Sequence, residues 1–390
     1  MRSTHISGVG MTRFDRHPDR GIKSLGAEAI QNAMADAGIE LGDVQAVYFG
    51  NALAGLTTGQ ECIRGETVIH AMGGGSIPVT NVENACASSG NALHLAWTAV
   101  AGGIHDTVLA VGAEKMFFPG DRMRPFEALK GAMDVETPHE MEEGAGEDRS
   151  PFMDLYASRA RRLVSEFGVT QEGLARIAVK ARHNGSLNPN AQRREAVTIE
   201  EVLASRSIVE PLTLLMCSPI GDGAAAAVVT SKPLTSGAVE ILASQLSSLP
   251  ATSDGPSSAR SASVAAYEQA GLGPADLDFM EVHDATSAGE MVSWVDLGVC
   301  APGDEEKWAQ TGHTELGGAL PINPSGGLIA RGHPIGATGL GQIFELTQQL
   351  RGTAGARQVE GARIGAAHVG GGSIGKMTAA AAFHILRAGS

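Results

Sequence analysis

Cysteine is scarce. The 390-residue chain has four, Cys62, Cys86, Cys217 and Cys300. They are too widely spaced for a disulfide scaffold, and no CxxC or CxxH pair marks a zinc site, so no metal is expected. Positive charge is in deficit: 29 Lys and Arg against 43 Asp and Glu leave a formal net charge of −14, which argues against a large nucleic-acid-binding face. No apolar run reaches the ~18 residues needed to span a membrane. The start, Met1-Arg-Ser-Thr-His-Ile-Ser-Gly8, lacks the apolar segment of a secretory signal. A cytoplasmic location with reduced thiols is the expectation. Hydrophobic residues make up 43% of the chain, enough for a packed core. Glycine is abundant at 51 residues, well above the usual ~7%, but has no period of three, which excludes a collagen-like chain.

An internal repeat organises the rest. Ala35-Asp-Ala-Gly38-Ile-Glu-Leu-Gly-Asp43 reads as a helix end, a glycine cap and a new turn, leading into an apolar run at 44–49. Glu268-Gln-Ala-Gly271-Leu-Gly-Pro-Ala-Asp276 has the same grammar and leads into 279–282. Two copies point to a duplicated α/β unit and not to a solenoid, while helix–glycine–turn–strand also recurs by chance. A strand at 77–82, a helix at 91–100 and a strand at 107–112 follow the first copy. A glycine-rich turn at 323–339, a helix at 341–350 and a strand at 363–369 follow the second. The middle differs: seven acidic residues between Asp134 and Asp148 read as an exposed loop. Helices are expected at 153–167, 171–184 and 198–204, the last with Thr198 as N-cap. A strand at 219–230 then returns to α/β character. The Ser-, Pro- and Thr-rich stretch 246–258 reads as a linker or edge.

Four residues attract chemical interest. Cys86 lies between a strand and a helix start, among small residues. There the helix dipole would lower the thiol pKa and small neighbours would admit a carbonyl. The alternative is an inert buried thiol, the reading kept for the other three cysteines. His333, in Gly332-His-Pro-Ile-Gly-Ala-Thr-Gly339, precedes a helix and can accept a thiol proton or stabilise an oxyanion. His283 and His368 stand at the ends of two further strands. Each alone is more often structural; three beside a similarly placed cysteine form a pattern. Gly370-Gly-Gly-Ser-Ile-Gly375 matches GxGxxG, but too little chain follows for a dinucleotide site.

These residues resemble the thiolase superfamily over essentially the whole chain. The resemblance rests on Asn84-Ala-Cys86-Ala-Ser-Ser-Gly90, Gly221-Asp-Gly-Ala-Ala225, His283-Asp284, Asn323-Pro-Ser-Gly-Gly327, the His333 motif and Val369-Gly-Gly-Gly372. His283-Asp284 is similar to the sterol-carrier-type, or lipid-transfer-type, branch. The resemblance implies an α/β thiolase fold of two duplicated halves in αβαβα layers with an inserted loop domain. The boundaries expected are 1–116 with about 205–236 for the N-terminal half, 117–204 for the loop domain and 237–390 for the C-terminal half. It implies an acyl-CoA acyltransferase with a CoA thioester as substrate and no permanently bound cofactor, a homodimer or tetramer, and a possible small zinc-ribbon/OB-fold partner protein. Cys86 would be the acylated nucleophile, His333 its base, and His283 an oxyanion donor. Arg122, Arg124, Lys130, Ser325, Gly326 and Gly371 would contact substrate or CoA. One departure matters. The family's second cysteine, an acid/base for the α-carbon, is absent: His368 stands in one place where it occurs and Ala285 in the other. Either His368 replaces it in Claisen or retro-Claisen chemistry, or Cys86, His283 and His333 serve a decarboxylating synthase-like acyl transfer. A non-catalytic scaffold is the third reading.

Overall fold

The computed structural model describes residues 2–136, 149–252 and 255–389. The first half runs β1 (His5–Met11), α1 (Ile22–Ala37), β2 (Ala46–Gly50), α2 (Ala54–Thr58), α3 (Arg64–Ala71), β3 (Val79–Val82), α4 (Ser88–Ala101) and β4 (Thr107–Glu114). The chain then leaves the sheet for α5 (Arg124–Leu129), α6 (Phe152–Phe167), α7 (Gln171–Ser186) and α8 (Ile199–Ala204). A small ribbon of β5 (Ser207–Val209) and β6 (Leu212–Thr213) precedes the return as β7 (Gly223–Thr230). The second half comprises β8 (Val239–Ser248), α9 (Ser258–Ala270), β9 (Phe279–Glu281), α10 (Ser287–Asp296), α11 (Glu305–Thr311), α12 (Gly327–Ala330), α13 (Thr338–Leu350), β10 (Ile364–Ile374) and β11 (Met377–Arg387).

Nine strands form one sheet in the order β3-β2-β4-β7-β1-β8-β11-β10-β9. The order is nearly palindromic about the β1–β8 seam. Each half has a parallel pair, β2 with β4 or β9 with β10, then two antiparallel steps inward. The counterpart of β3 has shrunk to a single parallel bridge between Met280 and Ile322. Helices α4 and α13 each touch strands of both halves, while α1 covers the first half and α9 the second. The result is five alternating helix and sheet layers.

Residue pattern explains this layering. In β4, Leu109, Val111 and Ala113 join the core under α1, while Val108 and Ala110 join the one under α4 and α13. A strand covered on both faces needs an unbroken apolar run. The repeat is structural: Gly38 (φ 70°) and Gly271 (φ 66°) take the left-handed cap, and Asp43 and Asp276 accept from Glu40 and Gly273 N–H at 2.9 and 2.7 Å. Thr198 caps α8 by accepting from Glu201 N–H.

Some expectations need correction. Both central helices begin three residues earlier than their composition indicates, at Ser88 and Thr338. Their small starting residues resemble a turn but serve a tight crossing: a Cβ on Gly339 would lie 2.6 Å from Gly90 N. The 246–258 stretch is not all linker, since Leu246 to Ser248 end β8 and Ser257 caps α9. The strand at 363–369 continues through the glycines to Ile374 and turns back into β11, which leaves the GxGxxG match without a helix to start. Most of the acidic stretch, 137–148, lies outside the described residues.

Candidate active site

The layered fold brings three loops and a strand together along one cavity of about 1060 Å³. That is the upper end of the range for small-molecule sites and suits an extended ligand. Cys86 sits in the short turn Ala85–Ala87 that leads into α4. His283 follows β9, His333 precedes α13, and His368 lies within β10; all four residues line the cavity. Ligand atoms of Cys86, His283 and His333 lie within 4.8 Å of one another. The two imidazoles meet edge to face with centroids 5.1 Å apart. A thiol and two imidazoles at this spacing could also take a soft divalent metal.

The Cys86 turn is held against the backbone of the other half. Ala85 has φ 48°, a conformation that costs a non-glycine residue about 1–3 kcal/mol. Ser88 Oγ spans the turn, accepting from Asn84 N–H at 3.0 Å and donating to Ala85 O at 2.6 Å. Gly371 explains the close approach, since a Cβ there would lie 2.1 Å from Asn84 O. Its neighbour Gly372 directs its N–H at the Cys86 sulfur.

Charge states follow from burial. Burial, then the buried Glu114 carboxyl, push the Cys86 thiol up to about 12. The expected thiolate at a helix start is therefore overturned: desolvation outweighs the dipole, and the resting group is the thiol. Burial likewise lowers His333 to about 3 and His368 to about 4, and holds His283 well below the usual imidazole range. The positive charge of Arg331 adds to the effect on His333, and that of Arg159 to the effect on His368. All three rings are neutral at neutral pH.

Hydrogen bonding fixes one tautomer. Thr338 Oγ1 donates to Pro334 O at 3.1 Å and lies 2.7 Å from His333 Nδ1. The hydroxyl has one proton, so it accepts from Nδ1–H, and Nε2 is left as an unprotonated base. Among the described residues, His283 Nδ1 and both ring nitrogens of His368 are buried without a partner.

Other predicted residues are placed differently. Arg122 lines the cavity, but Arg124 and Lys130 are not among its lining residues. Arg124 pairs instead with Asp121 at 2.9 Å and lies over the Phe118 ring. Ser325 and Gly326 are also absent from the lining. Ser325 is fully buried and bound through Oγ and N–H to Glu281, at 2.7 and 3.0 Å. Gly371 reaches the cavity wall. Cys217 lines the wall too, bridged to Thr286 beside Ala285, but its thiol donates to Thr213 O at 3.4 Å.

Several residues support the site without a role expected from sequence, Asp284 and Asn323 among them although both stand in the motifs quoted above. Glu114, at the end of β4, accepts from Ala52, Leu53 and Gly336 N–H and from Asn51, tying the His333 turn to the first half. Burial raises it to about 7. Asp284 accepts from Leu328 N–H at 2.7 Å, and Glu281 pairs with the buried Arg331 at 3.2 Å. Asn323 bridges Val282 N–H and Glu290, and Glu290 pairs with Lys180. Carboxylates at strand ends were the available signal. For Tyr156 and Arg159, which reach the cavity from α6, the sequence offered none.

Comparison with known proteins gives the family. The thiolase N-terminal domain family matches residues 5–233, and the thiolase C-terminal domain-like family matches residues 243–387. An acetyl-CoA acetyltransferase of Methanothermobacter thermautotrophicus is 42% identical over 99% of this chain and 99% of its own. Human sterol carrier protein 2 is 35% identical over 94% of this chain and 70% of its own. Benzoylsuccinyl-CoA thiolase subunit BbsB of Thauera aromatica is 35% identical over 95% of each. A solved structure, the Ltp2-ChsH2(DUF35) aldolase, superposes with a TM-score of 0.78 at 26% identity, covering 99% of this chain and 98% of that one. Fold and relatives together define an acyltransferase. The chain belongs to the thiolase family. Among the described residues, no helix is long and apolar enough to cross a membrane.

Proposed function

We propose that this thiolase makes or cleaves the carbon–carbon bond of a 3-oxoacyl-CoA through an acyl-enzyme on Cys86. The observation that carries this reading is the convergence of Cys86, His283 and His333 within 4.8 Å along one long cavity. His333 Nε2, unprotonated because Nδ1–H is engaged by Thr338, takes the thiol proton as sulfur attacks the thioester carbonyl. The C–S bond to Cys86 forms, the C–S bond to CoA breaks, and CoA leaves with the proton held by His333. His283 and the Gly372 N–H supply hydrogen bonds as negative charge develops on oxygen.

His368 is the acid/base for the α-carbon. Its ring is neutral, unpartnered among the described residues and open to the same cavity. An experiment in deuterium oxide with acetyl-CoA tests it. Wild type exchanges the α-hydrogens, while His368→Ala loses at least a hundredfold of that exchange and still acylates Cys86. Exchange unchanged in the variant contradicts the role.

The chain reads as two thiolase halves, 1–116 with about 205–236 and 237–390, and a loop domain at 117–204. The departure of the chain between β4 and β7 supports this division. We further infer a cytoplasmic homodimer or tetramer working on CoA thioesters. A small zinc-ribbon/OB-fold partner protein is supported by the likeness to an assembly named Ltp2-ChsH2(DUF35). The aldolase in that name is the second reading: a lyase would cleave carbon–carbon bonds without acylating Cys86, and so would retain turnover in Cys86→Ala.

A further inference from the structure

Arg159 is one of several basic residues that line the cavity, and the acyl-transfer steps do not use it. Arg159 projects from α6 into the cavity beside Tyr156, its guanidinium carbon 5.2 Å from that ring's centroid. One N–H donates to Thr378 Oγ1 at 3.0 Å. Arginine carries five such donors. Among the described residues no carboxylate comes within ion-pair distance of it. Asp296 lines the same cavity and its carboxyl responds to the Arg159 charge, without forming an ion pair with it among the described residues. The wall beside Arg159 is polar as well. Ser373 stands opposite Thr378 in the β10–β11 ladder and is 3% exposed, and its hydroxyl has no partner.

Position decides what this cation serves. Arg159 lies at the reacting end of the cavity: its partner Thr378 and His368 Nε2 lie 3.0 and 4.0 Å from where a Cβ on Gly370 would be, and Tyr156 and His283 O lie 3.0 and 3.5 Å from where one on Gly289 would be. The phosphates of CoA are a full pantetheine arm away from the thioester sulfur. A guanidinium beside the reacting-carbon histidines therefore cannot be their anchor. It faces the acyl group. Arg159 is half-buried, and a guanidinium fork with N–H donors beyond the one given to Thr378 fits a carboxylate.

We propose that Arg159 selects thioesters whose acyl group ends in a free carboxylate, with Ser373 as a second donor to that carboxylate. The proposal deepens the acyl-enzyme reading above and rests on it. The carboxylate takes no part in bond making: sulfur transfer proceeds as before, and the ion pair holds the carbonyl over Cys86.

Single-turnover acylation read by intact mass tests it, with succinyl-CoA and glutaryl-CoA against butyryl-CoA and pentanoyl-CoA. Wild type should acylate with at least one carboxyacyl thioester about tenfold faster or more than with its neutral counterpart, as expected for a charge-assisted hydrogen bond. Arg159→Gln should bring that ratio close to one, and Arg159→Lys should retain part of it. A merely structural arginine would slow all four thioesters alike and leave the ratio intact, which overturns the proposal. Equal wild-type rates overturn it as well. If none of the four leaves an adduct, the acyl-enzyme reading fails and this inference falls with it.

Discussion

The two halves of the molecule share a plan and differ in what they hang on it. In the first half, β4 and β7 are separated by residues 115–222; in the second, the equivalent β10 and β11 are joined through Gly375 and Lys376. The long excursion supplies α6 and much of the cavity wall, while the short hairpin presents Gly372 and Ser373 to the same cavity. The first half contributes Cys86 at the start of α4. The second contributes His333 at the start of α13 and two further imidazoles from β10 and the end of β9. After β3 the turn carries a thiol into the cavity; after Ile322 the turn carries Ser325, buried against Glu281. The short turn before α4, Ala85–Ala87, carries a thiol; the matching turn before α13, Ile335–Ala337, carries none.

Substitutions can break that division of labour. The largest effect is expected at the base: His333→Ala should slow Cys86 acylation by about 10²–10⁴-fold in a stopped acylation assay. A loss below tenfold would mean that the second half does not supply the base. Thr338→Val frees the tautomer of His333 and should cost about tenfold or more in the same assay, with little change in KM. Ser325→Ala should behave in the opposite way. It removes a hydrogen bond to a buried carboxylate and should lower unfolding free energy by about 1–3 kcal/mol in urea, while the folded enzyme acylates like wild type. A stable variant with slow acylation would place Ser325 in the site after all.

The smallest effect concerns pH. His368 is held near 4 in the fold and returns toward about 6.5 when unfolded. Below pH 6.5 the unfolded chain takes a proton that the fold refuses, so this histidine costs stability as pH falls. Relative to His368→Gln, wild type should lose about 1.4 kcal/mol per pH unit between pH 6.5 and 4, and the difference should be flat above pH 7. A flat difference throughout would show that the ring is protonated or open to water in the fold.

Much of this was readable beforehand, for physical reasons. Local grammar located the repeat because Gly38 and Gly271 need a left-handed backbone and Asp43 and Asp276 close short turns. Cys86, His283 and His333 could be picked out because each sits where a strand ends or a helix begins; His368, expected at a strand end, lies in the middle of β10 because the strand runs on through the glycines. Their mutual distance could not, since it depends on β1 joining β8 and on α4 crossing α13. The charge state of Cys86 was misread because a helix start is visible in sequence and desolvation is not. Ser325 binds Glu281 away from the cavity lining, a placement the sequence does not show because an Asn-Pro-Ser-Gly-Gly turn looks the same whether it faces a ligand or a buried glutamate. Arg159 left no trace on the polar face of an amphipathic helix, where one arginine resembles another.

The central claim is that a thiol from the first half, activated by an imidazole from the second, carries the acyl group. Intact-mass analysis after mixing with acetyl-CoA, followed by peptide mapping, addresses it directly. The account predicts one acetyl group per chain, mapped to Cys86, absent in Cys86→Ala and strongly slowed in His333→Ala. Turnover of a 3-oxoacyl-CoA with no adduct at Cys86, or turnover that survives Cys86→Ala, would contradict it.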